Sequence, residues 1–246
     1  MQVLIVYAHP EPTSFNGAMR DLAVATLTKQ GHAVEVSDLY AMGWNAVAGP
    51  ADIDGAPSET ARFSLAREQT VAMENGSIAA DIAAEQAKLT RADLVIFQFP
   101  VWWFGMPAIL KGWADRVFAR GFAYLPGRKY DTGMFKGKRA MLAATTGTSA
   151  DTYAPDGIDG DLLTVFWPIH NGLLKYTGFD VLPPYVAYMP GREDDTTRAQ
   201  QLDAYAKRLE AIDTTLHLFF HPAEDYGPNE RLKTGVLART NQQRNV

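Results

Sequence analysis

The chain of 246 residues contains no cysteine, which excludes disulfides, thiolate nucleophiles and cysteine-bound metal centres. It has no large excess of charge: the formal net charge is −5 and the pI about 5.5. A nucleic-acid binder would normally present a basic face, so no nucleic-acid partner is expected. No apolar run approaches the roughly 18 residues of a membrane span. The opening MQVLIVYAHPEP lacks the basic segment and small-residue cleavage site of an export signal. A cytoplasmic protein without a transmembrane segment is the expectation. Neither GxGxxG nor GxxxxGK[ST] occurs, which argues against a glycine-fingerprint dinucleotide site and a P-loop. The five histidines have no HExxH spacing. The acidic cluster Asp151, Asp156, Asp159 and Asp161 lacks the ligand order of a calcium loop. No metal is expected.

What is present is apolar and patterned. With 47% apolar and 11% aromatic residues, a substantial core can form. Residues 2–7, 33–37, 94–99 and 139–144 read as strands. The third is a continuous apolar run of the kind buried on both faces of a parallel sheet. Residues 15–30 read as a helix, with Ser14 as N-cap and Gly31 as its stop. Further helices are expected over 81–89, 107–118 and 196–218, and over 161–176 with a break at Pro168. Residues 179–182 and 185–189 read as extended. Residues 41–80 are irregular, with a short helix near 60–72, and a loop this long is usually functional or mobile. The alternation predicts a doubly wound α/β domain over 1–220: a five-stranded parallel sheet with helices on both faces. The polar tail 221–246 is expected to pack on a neighbour or stay loose.

Three strand ends carry the chemistry. After the first strand come His9, Thr13, Ser14, Phe15 and Asn16, hydroxyl and amide donors where a helix opens; such a start favours an anion. An ordinary capped turn is the plainer reading of the same residues. After the third strand, Pro100, Val101, Trp102, Trp103 and Phe104 place large rings in a loop, where only a flat ligand or core packing would cover them. After the fourth come Thr145, Thr146, Gly147 and Thr148, which can aim amides and hydroxyls at a heterocycle edge. Phosphate donors, a ring face and a polar edge, in that order, describe a flavin site.

With these motifs the chain resembles the NAD(P)H:quinone oxidoreductases, the DT-diaphorases, from residue 2 to about 215. Ser37-Asp38-Leu39-Tyr40-Ala41-Met42, the block 92–124 and Trp167-Pro168-Ile169 extend the likeness. The resemblance implies a flavodoxin-like fold and a homodimer with a flavin at each interface, FAD most often and FMN possible. It implies ping-pong transfer of two electrons from NADPH or NADH to a quinone or another flat acceptor. By position, His9, Phe15 and Asn16 would meet the ribityl-phosphate side. Residues 101–104 would line the ring, with Trp103 and Phe104 also facing substrate. Residues 145–148 would meet the polar edge, and Tyr153 would stand by N1 and the C2 carbonyl. Ala123 and Tyr124 would reach the partner's substrate pocket, and Arg198 would touch the cofactor across the dimer. The resemblance also admits a second reading, a flavin-binding ancillary subunit of a potassium-efflux system.

Three positions depart from the family pattern. Asp159 stands where relatives pair a histidine with the tyrosine. It is expected to work catalytically with Tyr153, by accepting and orienting its hydroxyl or, if protonated, by donating. Pro126 replaces a pocket tyrosine, and Ser64 a glutamine near the adenine. Elsewhere, Lys111, Asp115 and Arg116 read as a solvated or dimer-edge ion-pair face. His170 reads as a packing or capping residue, and the basic stretches 127–129 and 136–139 as solvated loops.

Overall fold

The computed structural model describes every residue except 56–57, 59–61, 241 and 244–246. Its strands are β1 (Gln2–Tyr7), β2 (Ala33–Asp38), β3 (Leu94–Pro100), β4 (Arg139–Thr146), β5 (Asp180–Val181) and β6 (Tyr185–Tyr188). The helices are α1 (Phe15–Lys29), α2 (Leu65–Asn75), α3 (Ala80–Arg91), α4 (Ala108–Val117), α5 (Leu162–Val165), α6 (Trp167–Ile169) and α7 (Asp195–Glu210). The strands run parallel in the order β2-β1-β3-β4-β5, with β6 also on β4. That is the flavodoxin-like order, in which ligands sit beyond the carboxyl ends of the central strands.

The apolar runs fall where burial is complete: all seven residues of β3 and five of the six in β1 are buried. Met19, Ala23 and Leu27 of α1 join Tyr205 and Leu209 of α7 in one core. Ile82 and Leu89 of α3 join Leu110, Trp113 and Val117 of α4 in the other. The buried Glu85 carboxylate is held by two donors: Trp113 Nε1 donates to Oε2 at 2.8 Å, and Lys88 reaches the same carboxylate at 2.6 Å.

The structure departs from the sequence expectation in four places. The place of the fifth strand is shared by two short strands, β5 and β6, so the sheet counts six. Pro183 and Pro184 cannot donate to a ladder, so pairing with β4 stops after β5 and resumes at β6. The helix expected to reach residue 218 ends at Glu210. The chain turns over Ile212–Thr214 and then runs along the sheet edge, where the Leu218 amide donates to Val181 O at 2.8 Å. The short helix expected near 60–72 begins partly outside the described residues; α2 runs Leu65–Asn75 and ends at Gly76, whose φ of 76° suits a left-handed cap. Arg116 is not solvated. It is 2% exposed, and it donates to Asp52 at 2.7 Å, to Asp81 at 2.7 Å and to Asn45 O at 3.0 Å. Lys111 and Asp115 do form the exposed i, i+4 pair, at 2.6 Å.

The segment after Tyr153 is helical but irregular. Pro168 supplies no amide, and α5 and α6 give way to a π-helical run, His170–Lys175. The tail packs on its own chain. The Ala223 amide donates to Asp131 Oδ2 at 2.6 Å, Lys129 pairs with Glu230 at 2.8 Å, and Gln242 donates to Thr164 Oγ1 at 2.6 Å. Among the described residues no helix is long and apolar enough to cross a membrane.

Candidate active site

Parallel register brings three loops together. Tyr7 of β1 lies beside Gln98 of β3, and Pro100 of β3 beside Thr145 of β4, so the chain leaves these strands along one edge.

The first loop is pre-formed by short polar contacts. Ser14 caps α1, its Oγ accepting the Gly17 amide at 3.2 Å. Glu11 Oε1 accepts from the amide and the hydroxyl of Thr13, at 2.9 and 2.7 Å, and these bonds hold its carboxyl below the usual range. The Glu11 amide in turn lies 3.0 Å from His9 Nδ1. The same nitrogen lies 3.1 Å from the Glu11 carbonyl oxygen, so Glu11 engages Nδ1 in either tautomer. Thr13 and the Gly17 amide are therefore occupied, and the Phe15 and Asn16 amides of α1, with His9, are left for an anion. Glu11 is a residue the sequence reading missed; its signal is a carboxylate two positions before a threonine at a helix entry.

Asn16 is buried and ties the first loop to the third. Its Nδ2 donates to Thr145 Oγ1 at 2.8 Å, and its carbonyl accepts from Gln98 Nε2 at 2.5 Å. Its Oδ1 has no partner although buried. An orphaned buried acceptor costs about 1–3 kcal/mol and marks a place where a ligand donor is expected.

The second loop is strained. Trp102 and Gly105 exchange both backbone bonds, each 3.1 Å, across a four-residue turn whose central residues, Trp103 and Phe104, have φ of 50° and 58°. Such primed turns normally take Asn or Gly at these positions. Left-handed backbone at bulky residues costs on the order of 1–3 kcal/mol each and clusters at functional sites. Trp103 is 96% exposed, and Trp102 and Phe104 about half so. The strain thus presents aromatic faces to the outside. Pro100 is the buried last residue of β3, and the Val101 amide donates to Thr145 O at 2.8 Å.

The third loop supplies hydroxyls. Thr146 Oγ1 donates to Thr148 O at 2.8 Å, and Gly147 is exposed with open space where a Cβ would stand. Thr148 Oγ1 donates to Asp159 Oδ2 at 2.9 Å and lies 3.0 Å from Thr152 Oγ1. Tyr153 packs edge-on against Phe104 with centroids 6.4 Å apart. Burial raises its pKa, a hydrogen bond with Thr148 opposes that, and the Asp159 charge adds to it. The Asp159 carboxylate therefore accepts from Thr148 rather than from the Tyr153 hydroxyl.

Other expected site residues lie apart. Ala123 is wholly buried in the core, so of the pair only part-exposed Tyr124 presents a side chain; its ring packs edge-on to Tyr176 at 6.0 Å. Arg198 is bonded to Glu193 O and to Asp195 at the start of α7. Ser64 caps α2 through its carbonyl, which accepts from Arg67 and Glu68. A separate cavity of about 430 Å³ lies between the tail and the body, lined by Lys129, Tyr130, Trp167, Lys175, Phe220 and Tyr226 among others. It contains none of the strand-end residues; strain, the orphaned acceptor and the helix start converge at the strand ends instead.

These features fit a flavin. The α1 amides and His9 suit its phosphate, the orphaned Asn16 Oδ1 a ribityl hydroxyl, the Trp102–Gly105 turn its ring, and the Thr145–Thr148 loop its pyrimidine edge.

Comparison with known proteins agrees. Residues 1–210 match a family described as having a flavodoxin-like fold. The chain is 45% identical over 228 residues to rat NAD(P)H dehydrogenase [quinone] 1, covering 93% of this chain and 83% of the relative. It is 48% identical over 212 residues to mouse ribosyldihydronicotinamide dehydrogenase [quinone], covering 86% and 91%. A solved structure from Klebsiella pneumoniae, described as that of a candidate quinone reductase, superposes with a TM-score of 0.90 at 45% identity, covering 95% of this chain and 94% of that one. General stress protein 14 of Treponema denticola, solved with FMN, superposes at 0.60 with 25% identity, covering 86% and 99%. On sequence, topology and site architecture, the chain belongs to the flavodoxin-like NAD(P)H:quinone oxidoreductase family.

Proposed function

We propose that this protein is a flavin-dependent NAD(P)H dehydrogenase that reduces quinones or related flat acceptors by two electrons in a ping-pong cycle. The observation that carries the proposal is the strained turn holding Trp103 and Phe104 open beside the α1 N-terminus and the Thr145–Thr148 loop. The flavin, when bound, supplies the hydride chemistry; the protein binds and orients it and excludes water.

In this reading His9, Phe15 and Asn16 hold the phosphate and ribityl chain, and Ser14 and Thr13 keep the loop in shape. Pro100, Val101 and Trp102 set the height of the ring, and Trp103 and Phe104 line the face on which donor and acceptor bind in turn. Thr145, Thr146, Gly147 and Thr148 meet the polar edge, and Tyr153, kept protonated by burial, donates towards it. FAD is the favoured cofactor, and FMN is the alternative that the Treponema structure keeps open. NADPH or NADH is the donor. A homodimer would bring Tyr124 of one copy, with Ala123 behind it, to the substrate face of the other, and Arg198 towards its cofactor. The cytoplasm is the proposed location. The relatives' names favour an enzyme over an ancillary subunit of a potassium-efflux system.

The test is direct. Purified protein should be yellow or take up FAD stoichiometrically, bleach with NADH or NADPH, and recover its colour with a quinone. Protein that takes neither FAD nor FMN overturns the proposal.

A further inference from the structure

We infer that Asp159 is a positioning residue that acts through Thr148. It claims the only proton of the Thr148 hydroxyl and so withholds that donor from the pyrimidine edge of the flavin. The inference rests on the flavin reading above and deepens it.

The argument is a count of protons. Thr148 Oγ1 has two polar neighbours: Asp159 Oδ2 at 2.9 Å and Thr152 Oγ1 at 3.0 Å. A hydroxyl donates once and accepts twice. Of the two the carboxylate is the stronger acceptor, because bonds to an ionised group are about twice as strong as neutral ones. The Thr148 proton therefore goes to Asp159, and its lone pairs are left to accept. Thr152 has another acceptor, Ser149 O at 3.0 Å. The carboxylate itself is anchored, since the Asp159 amide donates to Thr152 O at 2.9 Å. With Thr148 committed, its hydroxyl has no proton left to serve a ligand.

The arrangement has a redox consequence. A flavin that takes up two electrons and one proton gains one negative charge at its pyrimidine end. Here that charge would face a carboxylate one hydroxyl away and a Thr148 hydroxyl that cannot donate. Both disfavour the reduced state and hold the midpoint potential low.

The experiment measures the potential of the flavin-loaded protein by dye equilibration, not turnover. Asp159→Ala frees the Thr148 proton and removes the charge. It should move the potential to more positive values by at least a tenfold change in the reduction equilibrium, about 30 mV for two electrons. In a Thr148→Val background the same substitution should give a clearly smaller shift, because no hydroxyl remains to be released. Should Asp159→Ala fold poorly, Asp159→Asn replaces it, with a smaller shift of the same sign and the same dependence on Thr148. No shift overturns the inference. Equal shifts in both backgrounds also overturn it, since a bare charge would then suffice. A wild-type protein that binds no flavin overturns the parent reading with it; one that binds flavin but fails the comparison leaves that reading standing.

Discussion

Gly112 in α4 lies against the backbone of Ala46, so closely that a Cβ on Gly112 would sit 2.1 Å from the Ala46 carbonyl oxygen. The irregular stretch after β2 is therefore packed directly onto the helix that follows the aromatic loop. Arg116, one turn further on, completes the seam by bonding to Asn45 O and lying 4.7 Å from the Trp44 ring centre. Through α4 this seam supports the loop that carries Trp102, Trp103 and Phe104.

Gly112→Ala is accordingly expected to destabilise the protein. On an open helix the change would gain about 0.8–1 kcal/mol. Here backbone must move, and overpacking costs of about 1–3 kcal/mol outweigh that gain. Thermal unfolding should show a lower Tm; an unchanged or higher Tm would show that the seam is looser than described.

Arg116 supports a sharper comparison. Its partner Asp52 is almost wholly buried, with 1% side-chain exposure, whereas Asp81 is 45% exposed. Arg116→Leu would strand the Asp52 charge in the interior, a loss of about 3–5 kcal/mol. Asp81→Asn should change stability by less than about 1 kcal/mol, since water already solvates that carboxylate. Denaturant titrations of the two variants give the ratio, and similar losses would contradict this division of roles.

Much of the fold was legible because local pattern and tertiary burial agree. The run 94–99 is β3 because every residue in it is buried on both faces, and Ser14 is the N-cap because its Oγ accepts the Gly17 amide. Legibility ended where a residue's partner is distant in sequence. On a helical wheel Arg116 looks like a partner of surface charges, and only the folding-back of residues 45–52 buries it. Asp159 looks like a partner of Tyr153, whereas its carboxylate accepts from Thr148. The end of α7 was overrun because its apolar spacing continues in Leu216 and Leu218, although the chain beyond Glu210 serves the sheet edge. Of the site, the three loops and their donors were readable from turn chemistry. The left-handed backbone at Trp103 and Phe104 was not, because no local propensity calls for it.

That backbone predicts a trade between stability and binding. Trp103 is 96% exposed, so its removal forfeits almost no burial. Glycine tolerates its φ of 50° without the Cβ penalty of about 1–2 kcal/mol. Trp103→Gly should therefore raise the Tm of the apoprotein by a few degrees, at about 2–4 °C per kcal/mol for a chain of this size. The same substitution removes a ring face and should weaken flavin or nicotinamide binding at least tenfold in a fluorescence titration. A variant that is more stable and binds as tightly would separate the strain from function.

The last prediction concerns acid. His170 is 2% exposed, packs edge-on to Phe166, and has a buried Nε2 without a partner. Desolvation disfavours its cation and pushes the pKa down from 6.5 to about 4. The unfolded chain then binds a proton that the folded chain refuses. This contribution to stability is complete above pH 6.5, falls as the pH drops, and is lost at about 4. Its full size is on the order of 3 kcal/mol. Carboxylates titrate in the same range, so the informative quantity is a difference. His170→Phe keeps the ring packing and removes the proton. Its unfolding free energy, measured between pH 7 and pH 4.5, should fall less steeply than that of the wild type, by up to one proton's worth of slope. Parallel pH profiles would mean that His170 accepts its proton without unfolding, through a path to solvent that its burial argues against.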